Sequence, residues 1–97
     1  MKPLRFEWDD AKNRASQRKH GISFEEAQTV FFDDNAVEFY DDEHSGWEER
    51  FLLLGVSCRL RILLVCHCLR ENGDVIRIIS VHKATRKQMK LYPKGVL

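Results

Sequence analysis

Residues 50–82 read RFLLLGVSCRLRILLVCHCLRENGDVIRIISVH. Three apolar runs in it, 50–57, 60–69 and 75–82, have the length and the Leu, Ile and Val content of strands. Between the last two stands Asn72-Gly73, a strong hairpin signal because both residue types tolerate the positive φ of a two-residue type I′ turn. The spacing therefore predicts antiparallel neighbours, with Cys68 opposite Arg77 and His67 opposite Ile78. Outward from this block, AVEFY at 36–40 is a further, shorter strand. Asp9 or Asp10 caps a helix running to about His20, with Gly21 as its left-handed stop. Ser23 and Glu26 have the spacing of a capping box for a second helix, whose buried face is Phe24, Ala27, Val30 and Phe31. KATRKQMKLY at 83–92 reads as a basic helix ended by Pro93. The expected fold is α+β: two N-terminal helices, a three- to four-stranded antiparallel sheet and a C-terminal helix.

Ninety-seven residues make one domain, 1–97, and 43% hydrophobic with 32% charged residues is an ordinary globular composition rather than a disordered one. The longest apolar run, FLLLGV, is far below the ~18 residues of a membrane span, and MKPLRFEWDD has no apolar stretch of a secretory signal, so a cytoplasmic location is expected. Three cysteines, an odd number, fit a reducing compartment without a disulfide framework. Cys66-His67-Cys68 looks metal-like, yet on a strand the two thiols face one way and the imidazole the other, so buried free cysteines are the better reading and no metal or cofactor is expected. The net charge of +1 conceals a split: residues 1–50 hold 7 Lys/Arg against 13 Asp/Glu, or −6, and residues 51–97 hold 9 against 2, or +7. A basic working face of this kind suits nucleic acid or an acidic protein partner.

Several polar residues interrupt otherwise apolar segments. Arg77 breaks VIRIIS and His67 breaks LLVCHCL. The turn register leaves them about one residue apart across the ladder but on opposite faces, and a bulge would bring them to one face. Glu49-Arg50 opens the first strong strand, either as a surface ion pair or as an acid–base group beside a phosphate clamp. Lys83, Arg86, Lys87 and Lys90 repeat at i, i+3, i+4 and i+7 and would share one helix face. RNA scission by a neighbouring 2′-hydroxyl needs a proton acceptor, a proton donor and cations for the charge on phosphorus. Histidine suits the first two and arginine the third. His20, His67, Arg50, Arg77 and Arg86 supply that set without a metal. DDEH at 41–44 reads as an exposed acidic loop.

These residues form a pattern. FEWD-x-x-K-x-x-x-x-x-x-K-H-G-I-S-F from Phe6, DDEHSGWEERFLLLGVS from Asp41, LLVCH, and R-I-I-S-x-x-x-A-T-R from Arg77 resemble the BrnT family of toxins from bacterial type II toxin–antitoxin systems, in order over residues 6 to 92. The resemblance implies a RelE-like, metal-independent endoribonuclease that arrests translation. It also implies a BrnA-type antitoxin, a heterotetramer of two toxins and two antitoxins, and binding of operator DNA through the antitoxin. Carried onto this chain, the catalytic positions implied are Glu49, Arg50, His67, Arg77 and Arg86, and the RNA-binding ones Trp8, Lys12, Lys19, His20, Ser80 and Lys83. On this reading the first helix walls the RNA site, with Lys12, Lys19 and His20 facing the strand arginines, while Trp8 either stacks a base or pins the helix to the sheet. Lys83 stands where the family pattern has Arg, and the tail YPKGVL also departs from it. The alternatives from other classes are a non-catalytic nucleic-acid-binding module or inactive repressor subunit, and a pure interaction domain.

Overall fold

In the computed structural model, residues 4–93 are described. The chain runs β1 (Arg5–Glu7), α1 (Asp10–His20), α2 (Phe24–Thr29), a 3₁₀ turn (Val30–Phe32), β2 (Val37–Tyr40), β3 (Phe51–Val56), β4 (Ile62–Arg70), a second 3₁₀ turn (Glu71–Gly73), β5 (Val75–Lys83) and α3 (Arg86–Met89). The strands form one five-stranded sheet in the order β1-β5-β4-β3-β2. The α+β class holds, but the sheet is mixed and larger than expected, because β1 adds to β5 in parallel, Glu7 beside Arg77. A three-residue strand buries too little to leave a periodic signal, which is why RFE was invisible before the fold.

The helix signals act as anticipated at α1. Asp9 accepts the Lys12 N–H at 3.0 Å, and Gly21 closes the helix at φ 68°. At α2 only half of the capping box forms. Ser23 Oγ accepts the Glu26 N–H, but the Glu26 carboxylate turns away to the β3–β4 connection. There it accepts from Arg61 Nε at 2.9 Å, from Arg61 Nη2 and from Ser57 Oγ at 2.7 Å. Burial works against its charge, yet the Arg61 and Ser57 hydrogen bonds prevail and hold its pKa below the ordinary carboxylate value. The basic C-terminal helix is a single turn. Lys83 belongs to β5, and Thr85 starts α3 with a complete capping box to Gln88, so the four cations 83, 86, 87 and 90 do not share one helix face.

Along β4 the side chains alternate between two environments. Leu63 and Val65 point under the helices, where they join Ile22, Phe24, Ala27, Val30, Leu53, Ile78 and Val81 in the main core. Each fully buried side chain of this kind contributes roughly 1.5–3 kcal/mol. Leu64 points to the other face, where Leu54, Leu64 and Tyr92 form a second, smaller cluster with Phe39, Leu52, Val56, Ile62 and Ala84 around it. Tyr92 anchors the C-terminal segment there by donating to Asp33 Oδ2 at 2.7 Å, and burial with that bond pushes its pKa up to about 12. Asp33 also accepts the Val56 N–H at 2.9 Å. Gly55 is required at this crossing, since a Cβ there would lie 2.8 Å from Val30 Cγ1. Among the described residues, the C-terminal segment thus covers one part of the second face and leaves the rest open.

Candidate functional site

The β4–β5 register is the anticipated one near the turn, Cys68 opposite Arg77 and His67 opposite Ile78. The loop between them spans four residues rather than two, with Asn72 at φ 58° and Gly73 at φ 91°. A bulge does occur, but farther along: Cys66 pairs with Ser80, leaving Ile79 as the extra residue on β5. His67 and Arg77 therefore stay on opposite faces. His67 lies under the helices with a side chain only 2% exposed, edge-on to Phe31 at 4.8 Å and 3.4 Å from Glu38 Oε1. Burial lowers its pKa despite the Val65 carbonyl and Glu38, so it is held neutral, away from the open face.

The open face gathers a different set. Arg77 shares it through its pairing with Cys68, and its Nη1 donates to Glu7 Oε2 at 2.5 Å. Arg50, at the start of β3, approaches Glu48 with its Nε at 3.8 Å, and Arg70 of β4 reaches the same carboxylate at 3.1 Å. Glu48, not Glu49, is thus the partner of Arg50; Glu49 is exposed beside it. The Arg50 Nε is buried and has no hydrogen-bond partner among the described residues. Arg50, just before β3, Arg70 of β4 and Arg77 of β5 thus each sit beside a carboxylate, whose oxygens share the fork-compatible geometry of phosphate oxygens.

Two clefts on opposite sides of β5 share lining residues at the bulge. One, of about 160 Å³, lies on the open face and is lined by Asp41, His44, Arg50, Cys66, Ser80 and His82, among others. The second, of about 180 Å³, lies between α1 and β5 and includes Lys12, Lys19, His20, Phe24 and Ser80. Ile79 and Ser80 line both. Lys12, Lys19 and His20 thus line a cleft beside Ser80, but Arg50 and Arg77 lie on the other face of the sheet, so the helix cations do not face the strand arginines. Trp8 packs its ring edge-on to Phe24 at 6.2 Å, half-buried, so it pins α1 to the core. Lys83 pairs with Leu63 at the far end of β5, and Arg86 is exposed in α3. A larger cleft, about 460 Å³, opens near α2, but Glu25 and Glu26 line it and make it a poor seat for an anionic backbone.

The sequence marks His44 and Asp41 only as part of an exposed acidic loop, and it singles out neither His82 nor Arg70. The β2–β3 loop that bears the first two is closed by its own hydrogen bonds. The Asp41 N–H donates to the Arg50 carbonyl at 2.9 Å, Ser45 Oγ donates to the Asp41 carbonyl at 2.7 Å, and Arg50 N–H donates to Ser45 Oγ at 2.9 Å. Only the bulge position determines that Ser80 and His82 share the face of Cys66. Cys66 and Cys68 do face opposite to His67, and burial raises the pKa of both thiols, so neither is an activated nucleophile. Among the described residues no group of three or more His, Cys, Asp or Glu is placed to hold a metal ion.

Fold and clefts together define a small α+β protein with an arginine- and histidine-lined cleft on the open face of its sheet and a second cleft between the sheet and a basic helix. Residues 8–88 match the family model described as ribonuclease toxin, BrnT, of type II toxin-antitoxin system, and the chain belongs to that family. Among solved structures, the Brucella abortus ribonuclease toxin BrnT is similar in fold, with a TM-score of 0.65 at 20% identity over 87% of this chain and 100% of that one. No curated protein matches the sequence. Among the described residues, no helix is long and apolar enough to cross a membrane.

Proposed function

We propose that this toxin, one domain over residues 1–97, is a cytoplasmic metal-independent endoribonuclease that cleaves RNA and so arrests translation. A BrnA-type antitoxin neutralises it in a heterotetramer of two toxins and two antitoxins, which contacts operator DNA through the antitoxin. The observation that supports this reading best is the pair of clefts that share Ser80 in their lining, with Lys12, Lys19 and His20 in one and Arg50, His44 and His82 in the other. An RNA backbone laid across Ser80 would meet cations on both sides of the scissile phosphate, the requirement for stabilising charge on phosphorus. Within the set suggested by the sequence, Arg50 and Arg77 are the phosphate clamp, Glu49 stands at its lip, and Lys12, Lys19, His20 and Ser80 hold flanking phosphates. Trp8, Lys83, His67 and Arg86 act outside the contact with the reacting atoms.

The test is cleavage of a single-stranded RNA by purified protein in excess EDTA, beside Arg50→Ala and Arg77→Ala. Cleavage in EDTA that both substitutions reduce by about 10²-fold or more supports the reading. RNA that stays intact with and without ribosomes, yet is bound in low salt, would favour the non-catalytic module. The pairing of Arg77 with Glu7 and of Arg50 and Arg70 with Glu48 is the observation on that side.

A further inference from the structure

Resting on the ribonuclease reading, we infer that His44 is the proton acceptor of the open-face site and that Asp41 is its positioning residue. Asp41 is 7% exposed, although it sits in a loop whose neighbours Asp42, Glu43 and Glu49 are exposed. Its carboxylate turns inward and meets His44 Nδ1 with both oxygens, Oδ2 at 2.9 Å and Oδ1 at 3.1 Å. Cys66 Sγ lies 3.9 Å from the same Oδ2, and backbone and Ser45 bonds fix the loop on either side. A carboxylate on Nδ1 selects the tautomer that carries its proton there, which leaves the Nε2 lone pair to accept. The His44 side chain is 60% exposed, and its ring borders the cleft that holds Arg50, Ser80 and His82. An orienting acid, an accessible imidazole and a guanidinium facing one cavity form the arrangement that proton abstraction next to a phosphate requires.

The 2′-hydroxyl proton passes to His44 Nε2 as the O2′–P bond forms. The P–O5′ bond breaks, and O5′ takes a proton from the imidazolium of His82, the second histidine in the cleft. Arg50 holds the non-bridging oxygens, and the products are a 2′,3′-cyclic phosphate and a free 5′-hydroxyl. The charged or titratable groups facing His44 are Asp41 on its own loop and Arg50, Cys66 and His82 from β3, β4 and β5. The neighbouring cleft adds Glu48.

The test compares wild type, His44→Gln, Asp41→Asn and the loop control Glu43→Gln on a single-stranded RNA, with pH–rate profiles, after thermal melts show that all four fold. His44→Gln should lower kcat by about 10²-fold or more with KM within a few-fold, and should change the shape of the pH–rate profile. Asp41→Asn should lose less in kcat, again with KM within a few-fold, a split that a merely structural role would not produce. Glu43→Gln should match wild type. Should wild type cleave while His44→Gln cleaves equally with an unchanged profile, the assignment falls and the ribonuclease reading stands. Absence of cleavage by wild type, with or without ribosomes, removes both.

Discussion

The two faces of β4 carry the same kinds of residue to opposite ends. On the helix side, His67 sits 2% exposed between Phe31 and Phe51 and is kept neutral. On the open side, one residue away in sequence, Cys66 borders a cleft into which His44, His82 and Arg50 also open. A histidine under the helices contributes to packing, and one beside a carboxylate and a guanidinium can exchange protons with a substrate. On the proposed reading residue type alone does not identify the site; the face does, and the face follows from strand parity and from a bulge at Ile79.

If the helix face is the stability face, its substitutions should dominate unfolding. Phe24→Ala, removing a ring 1% exposed at the centre of the main core, should cost about 3–5 kcal/mol in chemical denaturation. Arg61→Ala should come next, at about 3 kcal/mol, because it strands the buried Glu26 carboxylate. The sign of its pH dependence follows from the lowered pKa of Glu26. The stabilisation is fully present above the ordinary carboxylate value of 4.5 and is lost as pH falls through the lower folded-state value. The gap between wild type and Arg61→Ala should therefore narrow in urea titrations carried down through this range, and a constant gap would contradict the bridge. Smallest of all, Arg50→Ala and Arg77→Ala should shift stability by about 1 kcal/mol or less, since their carboxylate partners are partly exposed. A large loss from either would blur the division between the faces.

Much of the fold was legible because its signals are local. The Asp9 cap, the Gly21 stop, the three strong strands and the Cys68–Arg77 register depend on residues close in sequence. What stayed hidden depends on distant partners. β1 exists only because β5 offers an edge to Arg5–Glu7, and Glu26 abandons its cap because Arg61 and Ser57 arrive from the β3–β4 connection. The site divides in the same way. Lys12, Lys19 and His20 follow from helix geometry and do line a cleft with Ser80, whereas His82 and the Asp41–His44 pair require the bulge and the loop closure. Lys83 and Arg86 shared a face only on the assumption of a ten-residue helix, which the Thr85–Gln88 capping box begins too late to allow.

The most direct measurement sets the two faces against each other: RNA cleavage in EDTA by Arg50→Ala and by His67→Gln, each normalised to its folded fraction. The account predicts a loss of about 10²-fold or more for Arg50→Ala and near wild-type turnover for whatever His67→Gln remains folded. Full activity in Arg50→Ala together with a dead, folded His67→Gln would place the chemistry under the helices and contradict it.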